Sequence, residues 1–529
     1  FVVSFKILPP CVSATLHLQY PSFLMLKFIA MRNSLCLFAL CIGILYSSCR
    51  KDINTKFENA ATLHIPNQDR GFIIIAKEGV NAETIATGLS KLGVRKFVLK
   101  NIINDLGLIQ VQTPDPSFPE KARQVAGIES VVVDVVLNWR LPEKRHKVSK
   151  QEVKAAGAAY RKNAKPSPVV NNNPLSFLQW GLSSVHAEQA WARGFQGSGA
   201  KVAVLDGGFL LNDPEIMPNI ILSHSFVDGE ETQYHGAEGF SHGTHVAGTI
   251  AALNDDEGVV GVAPQAKLIL VKVLNDEGTG AFSAIINGIY YAAVNGAHVI
   301  NMSLGGELPR RTYIDDNGTP DDPSDDLLVE YNRDVKELVT AMNRAVLFAI
   351  IRNATVIAAA GNDAYNYDFE KNYITYPAAC RGVLAIAANG PLGWGINQDT
   401  SLYLPSIFTN NGKRFINYGA PGGNYSIPLN TQIVQVGFVV NYEFVFDFIF
   451  NIGGVDESTN ELFYTWAAGT SMAAPHASAV AALIYGKYGK YASPLMIDWV
   501  LRNSSTDLGA HGRDGYFGNG QINAGKAVR

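Results

Sequence analysis

Five short apolar runs recur between Pro174 and Arg529, and they constrain the fold more than any other feature of the sequence. Each run is apolar without alternation, which is typical of a strand buried on both faces, and stretches rich in small, helix-compatible residues separate them. The pattern predicts a parallel sheet flanked by helices, in which ligands bind at the carboxyl ends of the strands. The runs are AKVAVLD (200–206), KLILVKV (267–273), AHVINMS (297–303), ATVIAAA (354–360) and VLAIAA (383–388).

Composition and charge narrow the class of protein. The 529 residues are 47% hydrophobic and 17% charged, which fits a globular protein rather than a disordered chain or a multi-pass membrane protein. Lys and Arg number 43 against 47 Asp and Glu, so the net charge of −4 gives no field that attracts nucleic acid, and no nucleic-acid partner is expected. Four of the five cysteines lie in or near an apolar N-terminal segment, and the fifth, Cys380, is predicted to be a small buried residue.

The apolar run LCLFALCIGILY (35–46) follows Arg32 and leads into Ser-Ser-Cys49. A basic residue, a short apolar run and a small-residue exit are the proportions of a secretory signal, and the run is short for a membrane span. The exit also resembles a bacterial lipoprotein cleavage site, although Tyr46 replaces the usual Leu. Residues 31–49 are therefore predicted to direct export to the bacterial cell envelope. A lipidated Cys49 would anchor the protein in the membrane; an ordinary cleaved signal is the alternative.

Residues 60–140 are predicted to form a small separate domain. Strands are expected at GFIIIAKEG, RKFVLKNI, LGLIQVQT and SVVVDVVLNW, with an amphipathic helix over Ala82–Leu92 and a short helix near Pro119–Ala126. The order β-α-β-β-α-β indicates a split βαβ, ferredoxin-like α+β domain. The basic segment that follows, residues 141–173, has no apolar periodicity and is predicted to be a solvated linker that proteases cut easily.

Polar side chains suited to acyl transfer stand at or near the ends of the buried runs. Asp206 closes the first run, His242 opens the segment HGTHVAGTIAAL, and Ser471 begins an apolar helix within GTSMAAPHASAVAALI. A serine hydroxyl becomes nucleophilic when a neutral imidazole takes its proton, and a carboxylate orients that imidazole. Asn362, in IAAAGND, and the N–H at the start of the Ser471 helix are candidate donors to an oxyanion.

The segments VAVLDGG, SHGTHVAGTIAA, AAAGN and GTSMAAPH resemble the Asp, His, oxyanion Asn and Ser boxes of the subtilisin-like serine peptidases, or subtilases. The chain order Asp, His, Ser is also that of the family. The resemblance covers residues 174–529, apart from insertions at 307–330 and 390–465. It implies an α/β, subtilisin-like three-layer sandwich with a central parallel sheet, and a serine endopeptidase that acts on polypeptides. One departure is Gly207, where the family usually has Thr or Ser.

By the same resemblance, Asp206, His242 and Ser471 would form the catalytic triad, and Asn362 would lie in the oxyanion hole. Residues 60–140 would be a propeptide that inhibits its own enzyme domain until it is cut in the basic linker; an accessory domain that is never removed is the alternative. The substrate backbone would pair with two edges, one formed by Ser303, Leu304 and Gly305 and the opposite one by Gly278, Thr279 and Gly280. Ala360 and Gly361 would line the pocket for the residue before the scissile bond.

The chemistry itself requires no cofactor, but the loop Leu253–Val259 suits a structural calcium ion. Oxygen atoms from alternate residues there match the preference of this hard cation, with Asp255 and Glu215 as side-chain ligands. The acidic insertion Asp315–Asp326 is a second candidate.

The sequence leaves two other functions open. Gly207 and the insertion beside the cleft are compatible with a catalytically silent surface lipoprotein that binds peptides. His242 and His245 would be the ligands of a metallopeptidase, although no acidic residue of an HExxH motif lies between them.

Overall fold

A computed structural model describes residues 70–140, 144–149, 171–237, 239–315, 327–329, 332–456, 459 and 461–529. The predicted export segment 31–49 with Cys49, most of the basic linker and most of the acidic insertion lie outside the described residues. The chain divides into two units, one of which takes in residues 1–63 and Ile314–Leu328. The described residues of that unit lie in the strands β13 (Tyr313–Asp315) and β14 (Leu327–Val329), which pair with each other. The other unit takes in His64–Tyr313 and Val329–Arg529.

The described residues 70–133 form a four-stranded antiparallel sheet covered by two helices. The element order is the predicted β-α-β-β-α-β, and the sheet order β2-β3-β1-β4 is that of a ferredoxin-like domain. One face of the sheet packs against the helices around Phe72, Ile85 and Phe118. The elements are β1 (Arg70–Ala76), α1 (Ala82–Ser90), β2 (Val98–Ile103), β3 (Leu108–Thr113), α2 (Phe118–Arg123) and β4 (Ile128–Val133).

The last predicted strand of this domain is in fact divided. β4 ends at Val133, and a separate strand, β5 (Val136–Asn138), follows it. Asp134 lies between the two strands, and its carboxylate accepts a hydrogen bond of 3.0 Å from the backbone N–H of Ser283, at the start of a helix in the following domain. Beyond it, β6 (Lys144–Ser149) is the described strand of the linker.

The second domain is built on a mostly parallel sheet. Among the described residues this sheet has eight strands in the order β18-β17-β15-β11-β7-β9-β8, with β19 beside β17. Its core strands are the five predicted apolar runs, which confirms them. The strands are β7 (Lys201–Asp206), β8 (Ile220–Ser225), β9 (Lys267–Lys272), β11 (Val299–Met302), β15 (Thr355–Ala359), β17 (Leu384–Gly390), β18 (Leu404–Pro405) and β19 (Tyr418–Pro421).

Helices cover both faces of this sheet, which makes the predicted three-layer α/β sandwich. Alternate residues of one strand enter different cores: Val202 and Val204 pack on one side of the sheet, and Ala203 and Leu205 pack on the other. The helices are α3 (Trp180–Ser184), α4 (Ala187–Trp191), α5 (His242–Ala251), α6 (Phe282–Val294), α7 (Arg333–Ile351), α8 (Glu443–Phe446), α9 (Thr470–Tyr488), α10 (Pro494–Ser504) and α11 (Ala524–Ala527). None of the helices in the described ranges combines the length and apolarity that a bilayer crossing needs.

Shorter strands lie outside the central sheet. β12 pairs with β16, β20 with β21, and β5 with β10, while β23 lies between β22 and β6. The pair β22–β23, here named the insertion hairpin, lies in the second insertion except for its last three residues, 466–468, and leads directly into α9. The bounds are β10 (Thr279–Ala281), β12 (Gly306–Pro309), β16 (Tyr373–Tyr376), β20 (Ile433–Val436), β21 (Val439–Tyr442), β22 (Ile449–Asp456) and β23 (Glu461–Ala468).

Candidate active site

A carboxylate and an imidazole meet at the carboxyl end of β7. The two oxygens of Asp206 lie 2.8 and 3.0 Å from Nδ1 of His242, so Nδ1–H donates to the carboxylate. Asp206 is buried, and the backbone N–H of Gly207 donates to its Oδ1 at 2.7 Å. This arrangement selects the tautomer in which Nε2 of His242 is the basic nitrogen.

The glycines around this pair explain how the two elements approach each other. A Cβ on Gly243, in the first turn of α5, would lie 2.5 Å from the carbonyl oxygen of Gly208. A Cβ on Gly207 would lie 3.3 Å from the carbonyl oxygen of Asn275, so a Thr or Ser there would be crowded. Although Gly207 departs from the family pattern, its N–H still provides the carboxylate with a fixed donor.

Ser471 lies at the start of α9 and is held by Ser303. Its hydroxyl donates to the carbonyl oxygen of Ser303 at 3.2 Å, and the hydroxyl of Ser303 donates back to the carbonyl oxygen of Ser471 at 2.8 Å. Ser303 lines the same pocket as Asp206 and His242. Within the described residues, the hydroxyl of Ser471 is therefore bonded to Ser303 and not to the imidazole, whereas Asp206 and His242 are joined directly.

The side chain of Asn362 is oriented by the residue that precedes Ser471. Its Oδ1 accepts hydrogen bonds from the backbone N–H and the hydroxyl of Thr470, at 2.8 and 2.7 Å. Because the oxygen is engaged, the amide presents its NH₂ group as the donor on the opposite side. Sequence reasoning missed the role of Thr470, although it lies inside the GTSMAAPH box.

The predicted substrate edges hold a segment of this chain. Gly280 in β10 lies opposite Leu137 in an antiparallel pair, and the N–H of Arg140 donates to the carbonyl oxygen of Gly278 at 3.2 Å. On the other side, the N–H of Gly305 donates to the carbonyl oxygen of Trp139 at 2.9 Å. An extended backbone therefore lies between both edges, which is how a polypeptide is expected to bind there.

Trp139 anchors this segment in a buried pocket. Its indole N–H donates to the carbonyl oxygen of Gly280 at 2.8 Å, and its ring lies edge-on to Phe282 with the centroids 4.8 Å apart. A Cβ on Gly306 would come within 3.0 Å of the indole, so a glycine there makes room for it. Leu304, in the edge opposite β10, is also buried.

Ala360 and Gly361 are buried where β15 ends. The carbonyl oxygen of Ala360 accepts a hydrogen bond of 3.1 Å from Nδ2 of Asn410. Gly361 has a φ of +107°, and a Cβ there would overlap the same amide. Their position fixes the turn that leads to Asn362, and their contact with a substrate side chain stays a prediction.

The residues around the loop Leu253–Val259 fit a calcium ion. The carbonyl oxygens of Leu253 and Val259 lie 2.9 and 2.7 Å from Nδ2 of Asn173, and that of Glu257 contacts the same atom. An amide NH₂ has two donors for these three acceptors, and Oδ1 of Asn173 is buried without a partner in the described part of the chain. If the amide is turned, its oxygen joins the carbonyl oxygens in a donor set that Ca²⁺ favours.

The two predicted side-chain ligands differ in their surroundings. Glu215 is buried beside the loop, where its carboxylate accepts the N–H of Val259 at 2.9 Å and the hydroxyl of Tyr464. Burial and this carboxylate raise the pKa of Tyr464, so the phenol keeps its proton as a donor. Asp255 is exposed and accepts the N–H of Glu257 at 3.2 Å. Sequence reasoning missed Asn173, because its contacts with the loop join residues that are 80 to 86 positions apart.

His245 does not have the surroundings of a metal ligand. Its Nε2 lies 3.3 Å from two carbonyl oxygens, those of Ile449 and Thr465, which call for a protonated ring nitrogen. Burial lowers its pKa to about 3, so the ring is neutral. The described ranges contain no group of three or more His, Cys, Asp or Glu side chains arranged to hold a metal. The geometry therefore gives the metallopeptidase alternative no support.

The buried imidazoles of His245 and His476 should make the folded protein less stable in acid. Burial lowers the pKa of His245 to about 3 and that of His476 to about 4, against 6.5 for an ordinary histidine. Between pH 6.5 and these values the unfolded chain binds more protons, so the free energy of unfolding should fall as the pH is lowered, by up to about 1.4 kcal/mol per pH unit for each group. Thermal unfolding of Ser471→Ala, which avoids autolysis, measures this slope. In His476→Gln the slope of the free energy of unfolding against pH should decrease by up to about 1.4 kcal/mol per pH unit, which is the contribution of one proton. An unchanged slope would contradict the low pKa assigned to His476.

Comparison with known proteins places these features in a family. The profile of the subtilase family matches residues 197–520. The chain is 31% identical over 415 residues to a thermostable alkaline protease of Halalkalibacterium halodurans, covering 78% of this chain and 90% of the relative. It is 35% identical over 352 residues to subtilisin BL of Lederbergia lenta, covering 66% of this chain and 99% of the relative.

Solved structures agree on the fold. The epidermin leader peptide processing serine protease of Staphylococcus aureus aligns with a TM-score of 0.63 at 20% identity, over 87% of this chain and 98% of that one. Fervidolysin from Fervidobacterium pennivorans, a keratinolytic enzyme related to subtilisin, aligns with a TM-score of 0.59 at 22% identity, over 87% of this chain and 61% of that one.

Proposed function

Because the chain belongs to the subtilase family and is a serine endopeptidase, we propose that it hydrolyses peptide bonds by acyl transfer with Ser471 as nucleophile, His242 as base and Asp206 as the group that orients the base. The observation that carries this assignment is the pair formed by buried Asp206 and partly buried His242, which shares a pocket with Ser303, the residue that holds Ser471. Asp206 and His242 are already paired as a triad requires, and the hydroxyl of Ser471 has to turn from Ser303 to reach the imidazole.

In the proposed reaction, the Ser471 hydroxyl turns from the carbonyl of Ser303 toward Nε2 of His242 and attacks the peptide carbonyl. The imidazole takes the proton, and the Asp206 carboxylate stabilises the imidazolium. The amide of Asn362 and the N–H of Ser471 donate to the oxyanion. His242 then protonates the leaving amine, and water repeats the sequence to release the acyl group from Ser471.

A fluorophosphonate probe tests the reaction against the alternatives. The protein should be labelled by the probe, and Ser471→Ala should not be labelled. Absence of labelling once the cleft has been vacated would favour the silent peptide-binding lipoprotein. Activity that resists the probe but is lost with a zinc chelator would favour a metallopeptidase.

We further propose that residues 60–140 are a propeptide and intramolecular inhibitor. The face of its sheet that carries Ile73, Ile75 and Leu108 shares a core with α6 and α7. Gln110 and Asn287 exchange two amide hydrogen bonds across this contact, at 2.8 and 2.9 Å. Since β5 and the residues after it also lie in the cleft, no polypeptide substrate can occupy the same edges until this segment leaves. N-terminal sequencing of the active protein tests removal, and a sequence that begins upstream of residue 140 would favour the accessory domain.

Export rests on the sequence of residues 31–49. We propose that the enzyme works outside the cytoplasm and is anchored through lipidated Cys49. In a bacterial host the protein should fractionate with membranes, and Cys49→Ser should move it to the soluble fraction. An equal distribution of the two proteins would favour an ordinary cleaved signal.

Calcium is proposed as a stabilising ion held by Asn173, Glu215 and the carbonyl oxygens of the loop Leu253–Val259, with Asp255 at its exposed side. Because the ion would bind the folded chain alone, calcium at about 100 times its dissociation constant should add about 2.7 kcal/mol to the free energy of unfolding. We expect removal of calcium to lower the melting temperature of Ser471→Ala by several degrees.

Substitutions locate the calcium effect. The variant Glu215→Gln keeps the shape of the side chain and should lose most of the response, whereas the control Asp228→Asn, a substitution at an exposed carboxylate, should keep it. If the melting temperature did not change with calcium in any of these proteins, the site would be excluded.

A further inference from the structure

The linker strand β6 lies beside β23 of the insertion hairpin, on the side of β23 that faces away from β22. It pairs antiparallel with β23 over its whole length, from Lys144 opposite Ala468 to Ser149 opposite Phe463. β23 leads within three residues to Ser471, so the pairing begins beside the proposed nucleophile and continues away from it. The edge of β23 is therefore a backbone-binding surface adjoining the active site.

The position of β6 in the chain defines which side of a cleaved bond it represents. Trp139 and Arg140 lie between the two substrate edges, and only residues 141–143 separate them from Lys144. A chain that follows the same course through the site has its acyl part between the edges and its leaving part along β23. The β6 segment thus marks a path for the leaving side of a substrate.

Aromatic rings underlie the charged side chains of β6. Lys147 also forms an ion pair with Asp456, with 2.6 Å between Nζ and Oδ2. The imidazole of His146 lies edge-on to Trp466, with the centroids 6.4 Å apart. The three cations stack over rings at these distances from the centroid: Lys144 over Tyr425, 5.0 Å; Arg145 over Phe240, 4.8 Å; Lys147 over Phe463, 4.3 Å.

We propose that, once the linker has left, the edge of β23 binds the leaving side of polypeptide substrates as an added strand and selects basic residues there. Main-chain hydrogen bonds would hold any extended segment, and the rings with Asp456 would favour Lys and Arg at the positions that Lys144, Arg145 and Lys147 occupy. This inference rests on the proposed function, since it assigns the substrate class of the same site.

Matched peptides test the proposal. Counted from a bond after Arg140, residues 144–147 occupy the fourth to seventh positions of the leaving side. Two quenched fluorescent peptides share the same residues up to the cleaved bond and differ at these four positions, where one carries Lys-Arg-His-Lys and the other Gln-Ser-Gln-Ser. For the matured enzyme, obtained by expression of the full chain, we expect kcat/KM to be about tenfold or more higher for the basic peptide. A third peptide that ends two residues after the cleaved bond reports the proteolytic activity alone.

Variants assign the preference to the surface. The double variant Tyr425→Leu, Asp456→Asn should reduce the ratio of kcat/KM between the basic and neutral peptides to about threefold or less. The matched control Tyr442→Leu, Asp399→Asn changes an exposed tyrosine and an exposed aspartate that do not contact β6, and it should keep the full ratio. Phe240 is left intact because its ring lies 6.3 Å from that of His242.

The outcomes separate this inference from the proposed function. Equal kcat/KM values for the basic and neutral peptides, with the short peptide still hydrolysed, would overturn the inference and leave the protease assignment intact. A basic preference that survives in the double variant would overturn it as well. If no peptide were hydrolysed and the fluorophosphonate did not react, the proposed function would fail, and the inference would fail with it.

Discussion

The variant Asp206→Asn should lower kcat by about 10⁴-fold, a magnitude taken from the same change in other serine peptidases. The carboxylate receives Nδ1–H of His242 through both oxygens, at 2.8 and 3.0 Å. An asparagine amide offers a donor as well as an acceptor and carries no charge, so it no longer selects the productive tautomer or stabilises the imidazolium. The measurement is kcat for a chromogenic peptide with the matured enzyme, accompanied by the melting temperature.

A second carboxylate in the same pocket provides the control. Asp276 accepts a hydrogen bond of 2.5 Å from Nζ of the buried Lys272 instead of from His242. The variant Asp276→Asn should therefore cost stability and leave kcat within about fivefold of the native value. If Asp206→Asn retained a tenth of the native kcat, or if the two variants lost equal activity, the triad assigned here would be wrong.

The elements that could be predicted from sequence are those whose residues have one possible environment. The runs that became β7, β9 and β15 are apolar at every interior position because both faces of the sheet are covered, and a buried parallel strand is the structure that accepts such a run. The pair Asp206 and His242 was accessible because each residue stands at the end of a recognisable segment.

Long-range contacts account for what could not be predicted. Thr470 orients Asn362 from 108 positions away, and nothing local to either residue indicates the bond. The linker was predicted to be solvated because it is basic and lacks apolar periodicity, and the side chains of Lys144, Arg145 and Lys147 are exposed. The prediction did not include the pairing of β6 with β23 or the ion pair of Lys147 with Asp456 across 309 positions. A strand that binds by its backbone and by cation–ring contacts needs no apolar alternation, so sequence periodicity does not reveal it.

A second large effect is expected at Trp139, whose side chain is fully buried. Residues 60–140 supplied as a separate polypeptide should inhibit the matured enzyme, and Trp139→Ala should raise the inhibition constant at least 100-fold. Replacement of a buried tryptophan by alanine typically costs about 3–5 kcal/mol, and each 1.4 kcal/mol is a factor of ten in an equilibrium constant. Here the loss includes the hydrogen bond to Gly280 and the contact with Phe282.

Val136 provides the matched control, since it lies in the same segment with 62% of its surface exposed. Val136→Ala keeps the backbone pairing with β10 and should change the inhibition constant by less than about threefold. A measurement on the full chain does not depend on whether the separate domain folds: before processing, Trp139→Ala should react with the fluorophosphonate faster than the native chain. Equal rates, together with equal inhibition constants, would mean that the segment in the cleft does not control access to Ser471, and the domain would then be an accessory one.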